Sequence, residues 1–308
     1  MWKIKNVGFE CNIVNEDDVF ICAVGYEERS RYLLDKLKKT IRNKNILVFF
    51  FEDLNNENEL LRYINGLKAS SINTFKVGYD QGEEVVDIIS SFLDGFSNSK
   101  VNVYVDYSSM PRLWYSKLPV KISEIFKSEV YFLYVVGEYP CDYKVYPSAG
   151  IDSYSLIGRS SLRDKKRLHV IGIGYDSIRT EALISILDPD MYSVCSASYS
   201  KDDEMEKKVH EVNEHVLKQA VSSISLYTDD FSFLVARLCE VANEYLPMGD
   251  VVFVPDGPKP LIMAMSLVPQ LLNKQGVVCM LVSRNLDCYE PLDVKPKKTI
   301  LCFGFRGE

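Results

Sequence analysis

At 308 residues the chain is long enough for two domains of ordinary size, and with 47% apolar and 26% charged residues it has the profile of a folded globule, which excludes a disordered or fibrous chain. A net charge of −7 and a pI of about 5.2 make the surface as a whole repel polyanions, so non-specific nucleic-acid binding lacks its electrostatic source, while a small nucleotide in a local pocket stays open. The stretch after Met1 lacks the architecture of a signal peptide, and no window approaches about 18 uninterrupted apolar residues, so a cytoplasmic chain without a membrane span is expected.

In chain order, apolar β-branched and aromatic runs predict strands over residues 19–24, 46–51, 75–77, 101–105 and 130–136. Helical patterns fall between them over 30–39, 58–67, 83–93 and 112–126. A further extended piece, 154–159, precedes the polar stretch 160–167, which reads as a hinge carrying Arg163, Lys165, Lys166 and Arg167. Strands then recur over 169–173, 192–197, 224–227, 251–254 and 277–282, with a long charged helix over 203–220 and a last extended piece over 299–306. Continuous apolar strands alternating with helices imply a mostly parallel sheet with right-handed crossovers. The two extra pieces fit antiparallel additions at sheet edges.

The second half echoes the first. Gly25-Tyr26, after one apolar strand, matches Gly174-Tyr175, 149 positions later, and Asp80 matches Asp229 at the same offset. Pro111 matches Pro260 at that offset too, whereas Asp106 and Asp256 align only with a one-residue shift. Three markers at one offset argue for duplication. The expected fold class is therefore α/β, a tandem duplication of a Rossmann-like unit, with repeats over 1–163 and 164–308.

In open parallel sheets ligands bind at the carboxyl ends of strands, where strand order reverses. The loop after the first strand offers Gly25, which permits close backbone approach, with Arg29 and Ser30 as candidate ligand contacts and Glu27 and Glu28 as acid–base candidates. The same loop also fits a plainer arrangement, in which the two glutamates complement the helix N-terminus and Arg29 pairs with one of them. In the second repeat Gly172 and Gly174 lack a third glycine at dinucleotide-fingerprint spacing, because Ile178 and Arg179 stand there, but Gly174 remains a candidate contact.

After the fourth strand come Asp106, Ser108, Ser109, Pro111 and Arg112 in the first repeat, and Asp256, Gly257, Pro258, Lys259 and Pro260 in the second. Ser108 or Ser109 can cap the next helix, Pro111 suits its first turn, and an open helix start flanked by Arg112 or Lys259 suits an anion. Asp106 joins Glu27 and Glu28 as a candidate catalytic carboxylate; Asp80, Glu83, Glu84, Asp229 and Asp230 lie at the same edges and also read as helix caps. Serine-hydrolase, zincin and Walker motifs are absent. The eight cysteines form no C-x-x-C pair and read as reduced core residues, and the three histidines are badly spaced for a metal, so neither metal nor cofactor is expected.

The stretch Val251-Val252-Phe253-Val254-Pro255-Asp256-Gly257-Pro258-Lys259-Pro260-Leu261-Ile262-Met263-Ala264-Met265 resembles the strand-loop-helix of CARF domains, Rossmann-like sensors of cyclic oligonucleotides in CRISPR-linked immunity. Gly257 and Lys259 match the Thr-Gly-Gly-Thr-Lys loop common there; the other positions depart, and the first repeat has Ser-Ser-Met-Pro-Arg instead. The resemblance implies a nucleotide-binding loop with Lys259 near the ligand and, by position, Arg112 in the other repeat. Fused CARF-like pairs also occur in the SAVED sensors of antiphage systems. The expectation is thus a nucleotide sensor of a bacterial defence or regulatory system. Its ligand would be small and phosphate-bearing, held at a cleft where the repeats meet, and its output would pass to a separate effector protein. The alternatives are an enzyme cleaving a nucleotide or nucleoside with Glu27, Glu28 and Asp106, and a scaffold whose second repeat has lost its site, favoured if Trp114 and Tyr115 fill the cleft of the first.

Overall fold

The computed structural model describes residues 2–51, 58–97, 99–138, 151–161, 166–200, 203–284 and 294–307. In chain order the elements are β1 (Trp2–Asn6), β2 (Val19–Val24), α1 (Tyr32–Leu37), β3 (Ile46–Phe51), α2 (Asn58–Ala69), β4 (Asn73–Val77), α3 (Gly82–Asp94) and β5 (Val103–Asp106). The split helix α4 (Arg112–Tyr115) and α5 (Leu118–Ile125) follows, then β6 (Val130–Glu138), β7 (Ile151–Arg159), β8 (Arg167–Gly172), α6 (Ser177–Leu187) and β9 (Met191–Ser198). The remainder comprises α7 (Asp203–Val212), α8 (Glu214–Gln219), β10 (Ser222–Tyr227), α9 (Phe231–Tyr245), β11 (Asp250–Val254), α10 (Lys259–Leu272), β12 (Val277–Arg284) and β13 (Lys295–Gly307).

The chain forms two compact units, one of Met1–Tyr143 with Glu290–Glu308, the other of Lys144–Tyr289. The sheet of the first runs β1-β13-β6-β5-β2-β3-β4, in which β6 to β4 are parallel and β13 and β1 are antiparallel additions. The second runs β10-β9-β8-β11-β12-β7, parallel except for β7. If the parallel strands of each unit are counted from its own start, both sheets have the order 3-2-1-4-5. The fold is α/β, and this shared order is what a duplicated Rossmann-like unit requires.

The physics of the strands explains the order. All six residues of β2, all four of β5 and all five of β11 are buried, so these apolar runs are covered on both faces and take the central places. Edge strands are more polar: β10 reads Ser-Ser-Ile-Ser-Leu-Tyr and buries only Leu226.

Four features depart from the sequence expectations. The extended pieces are antiparallel additions, but each lies in the unit other than the repeat it was counted in: β7 pairs with β12, and β13 with β6. The ranges 1–163 and 164–308 therefore cut across the compact units; of the expected hinge, Arg163 and Lys165 lie outside the described residues. The helix over 112–126 is broken, since Pro119, in the first turn of α5, lacks an N–H and its ring would clash with the carbonyl of Tyr115. The charged helix over 203–220 breaks at Asn213, a fully buried residue whose Nδ2 donates to the carbonyls of Gly174 (2.8 Å) and Val209 (2.8 Å). Strand β1 was not anticipated, although Trp-Lys-Ile-Lys alternates with a strand's period of two; Trp2 packs its ring 5.2 Å from that of Phe305.

Candidate functional site

Strand order reverses between β2 and β5 in the first unit and between β8 and β11 in the second, so the turns after these four strands border the crevice positions. In the first unit the turn after β2 is closed internally. Ser30 Oγ accepts from the Gly25 N–H (3.1 Å) and lies 2.6 Å from the Glu27 carbonyl, to which it donates. Arg29 is 2% exposed. Its Nε and Nη2 both reach Glu27 Oε2, at 3.0 and 2.6 Å, and its Nη1 donates to the Tyr134 hydroxyl at 3.3 Å. The guanidinium also sits 5.6 Å from the Tyr134 ring centroid, and Gly137 leaves the room it needs, since a Cβ there would come within 2.9 Å of Nη1. Glu28 is exposed in the single 3-10 turn Glu28–Arg31.

The turn after β5 is built around Asp106, also 2% exposed. Its Oδ1 accepts from both the N–H (2.9 Å) and the hydroxyl of Ser108, and Ser108 Oγ accepts from the Val135 N–H (2.8 Å), tying the turn to β6. Ser108 and Ser109 therefore do not cap the next helix; its N-cap is Pro111, which has no side-chain acceptor. Ser109 Oγ is buried without a hydrogen-bond partner. Arg112 is the first helical residue, while Trp114 and Tyr115 are fully buried, Trp114 against Phe49 and Phe51 and Tyr115 against Tyr107.

In the second unit Asp176 caps α6 by accepting from the Arg179 N–H at 3.0 Å. The Arg179 side chain turns inward and is 3% exposed; Nε lies 3.0 Å from Asp256 Oδ2, Nη2 donates to the Val282 carbonyl (3.3 Å), and Nη1 is buried without a hydrogen-bond partner. Three glycines let the turns after β8 and β11 meet backbone to backbone. A Cβ on Gly172 would fall 2.5 Å from the Asp256 carbonyl oxygen, one on Gly174 2.9 Å from Gly257 Cα, and one on Gly257 2.4 Å from the Ile173 carbonyl oxygen. Gly257 also has φ +88, the left-handed region that disfavours any side chain. After it come Pro258 as N-cap and Lys259 as first residue of α10, 14 residues long.

The fourth-strand turns of the two units thus end alike, on Pro111-Arg112 and Pro258-Lys259. In each a proline in extended conformation is the N-cap (φ −60, ψ 152 and φ −69, ψ 146) and a cation opens the helix. The structural partner of Pro111 is therefore Pro258 rather than Pro260. Asp106 and Asp256 are not partners either. The ladders set Cys22 beside Asp106 and Ile171 beside Val254, so Asp106 ends its strand where the second unit has Val254, and Asp256 lies two residues farther on. Gly25 and Gly174 both follow the first parallel strand, and the helices α3 and α9 begin 149 positions apart, in keeping with the Asp80 and Asp229 markers.

Of the remaining carboxylates, Asp80 is exposed and does not cap α3, whose N-cap is Gln81; Glu83 pairs with Lys117, and Glu84 is exposed. Asp229 accepts from the Ser200 N–H (3.1 Å), and Asp230 caps α9 through the Phe233 N–H (3.0 Å). Cys22, Cys195, Cys279 and Cys302 are buried free thiols; burial pushes Cys195 and Cys302 up to about 12, which makes them poor nucleophiles. Cys141 and Cys288 lie outside the described residues. Among the described residues no cluster of His, Cys, Asp and Glu is set to hold a metal, and no helix is long and apolar enough to cross a membrane.

His169 on β8 is 7% exposed with Nδ1 lacking a partner, and burial, then the Arg167 charge, hold its pKa below the usual imidazole value. The fold therefore binds the neutral ring, and its contribution is full above the unfolded-state pKa of about 6.5 and is lost as pH falls below it. Thermal unfolding between pH 7.5 and 5.5 is expected to show a decline that His169→Phe makes shallower; an equal decline in both proteins would refute this. The slope from one such group is at most about 1.4 kcal/mol per pH unit.

Sequence reading did not anticipate Arg179 as part of this edge. The available signal was its position three residues after Asp176, which turns it back across the first helical turn. No protein-family model and no curated protein matches the chain. Among solved structures it is similar to the cytoplasmic domain of a prokaryotic cation chloride cotransporter, with 10% identity over 86% of this chain and 95% of that one and a TM-score of 0.23.

Proposed function

We propose that this chain is a nucleotide-binding sensor, and that the phosphate group of its ligand sits on the turn Asp256–Lys259 at the start of α10. The observation that carries the reading is the matched ending of the two fourth-strand turns, proline then cation, beside the point where each sheet reverses its order. The Asp256–Lys259 turn leads into the start of a 14-residue helix, whose positive end favours a negative charge. Gly257 lets this turn close backbone to backbone on Ile173, and Lys259 adds a charge at its end.

The resemblance of residues 251–265 to CARF loops supports cyclic oligonucleotides of bacterial defence or regulation as the ligand class, with a separate effector protein receiving the signal. The acid–base candidates Glu27 and Asp106 are engaged by Arg29 and Ser108, which supports binding rather than turnover. Isothermal titration with cyclic oligonucleotides and common mononucleotides tests the reading. Binding is expected, with a loss of about tenfold or more on Lys259→Ala, the scale of one charge-assisted contact. No binding of any of them, or unchanged binding in an Arg112→Ala, Lys259→Ala double variant, would overturn it.

A further inference from the structure

The carboxyl edge of the first unit carries a second feature, made of rings. Strands β2, β3 and β4 lie side by side and end at Val24, Phe51 and Val77, so Gly25, Phe51 and the Tyr79 turn share one edge. Trp114, fully buried, packs 5.3 Å from Phe51, and Phe51 in turn lies 6.3 Å from Tyr79, which is 47% exposed. A ladder of three rings therefore runs from the core to the surface. Gly25 abuts its middle rung, since a Cβ there would come 3.3 Å from Phe51 Cε2.

The backbone that carries the outer ring is held in place. Trp114 Nε1 donates to the Tyr79 carbonyl (3.1 Å), the Gly78 N–H donates to Gln81 Oε1 (2.5 Å), and the Gln81 and Gly82 N–H groups close the turn on the carbonyls of Gly78 (3.1 Å) and Asp80 (2.9 Å). About half of the Tyr79 ring faces water while the rest packs on Phe51, and the backbone that presents it is fixed on both sides. It stands two strand spacings, about 10 Å, from the crevice turn at Gly25.

We infer that Tyr79, backed by Phe51 and Trp114, is a stacking platform for a planar heterocycle, the nucleobase of a nucleoside or nucleotide. A planar base stacks on an aromatic face with a gain that truncation to alanine removes. This takes its ligand class from the nucleotide reading but rests on different residues, and it needs no phosphate.

The full chain titrated with adenosine, guanosine, AMP and inorganic phosphate separates the two claims. The platform predicts that a nucleoside binds, that Tyr79→Ala weakens it about tenfold or more, that Tyr79→Phe retains it, and that Lys259→Ala leaves nucleoside binding unchanged. Circular dichroism of Tyr79→Ala should match the parent, since the ring is half exposed and the backbone around it is held by other residues. A nucleoside that does not bind at millimolar concentration, or binds Tyr79→Ala as well as the parent, overturns the platform. If AMP binding ignores Lys259→Ala while nucleoside binding still depends on Tyr79, the phosphate assignment falls and the platform stands.

Discussion

Arg179→Ala is expected to destabilise the second unit by about 3–5 kcal/mol, because it removes the cation from beside Asp256, a carboxylate that is 3% exposed. Both partners of this pair are almost wholly out of water, so neither can recover by hydration when the other is cut away. Asp256→Ala should cost a similar amount for the reciprocal reason, and more directly, since Arg179 Nη1 already lacks a hydrogen-bond partner. Replacing both at once, Arg179→Leu with Asp256→Leu, should restore much of the loss, as apolar pairs of similar volume commonly do. Unfolding of a two-unit chain need not be two-state, so hydrogen exchange read at the β8 and β11 amides is the suitable measurement. Additive losses in the double variant would refute the pairing.

Gly257→Ala should be nearly as damaging, by about 2–4 kcal/mol. A non-glycine residue at φ +88 carries a conformational cost of its own. The added Cβ would also fall 2.4 Å from the Ile173 carbonyl oxygen, a backbone atom that cannot swing aside as a side-chain tip could. Relief requires the turns after β8 and β11 to part, which would disturb the phosphate-binding turn as well as stability. Denaturant unfolding followed by exchange at the same amides checks this; a variant as stable as its parent would contradict the close approach.

Much of the architecture was legible because buried parallel strands write long apolar runs: 19–24 and 46–51 were read with both their ends, and the other parallel strands to within a few residues. Repetition of Gly25 at Gly174 and of Asp80 at Asp229 disclosed the doubling, since both mark a turn that a Rossmann-like unit needs at a given place. Strand pairing was beyond reach. Nothing in Lys295–Gly307 says that it will lie between β6 and β1, because antiparallel partners are chosen by the whole fold and not by local pattern. The Asp106 and Asp256 match misled for a related reason: insertions inside turns shift residues without shifting strands, so identity at nearly the right offset did not mean the same register.

At the site itself, cation positions were legible and internal pairings were not. Arg29 and Ser30 stood out by residue type, yet burial turns both inward, onto Glu27, Tyr134 and the Gly25 turn. Arg112 and Lys259, by contrast, open helices after a proline in both units, a likeness visible only once the N-caps are known.

The central claim is where the phosphorus goes. A crystal structure of the chain soaked with a nucleotide tests it most directly: the account predicts density for the phosphate beside the first turn of α10, within reach of the Lys259 side chain. Density for the ligand at the amino ends of the strands, or a phosphate away from the Asp256–Lys259 turn, would contradict it.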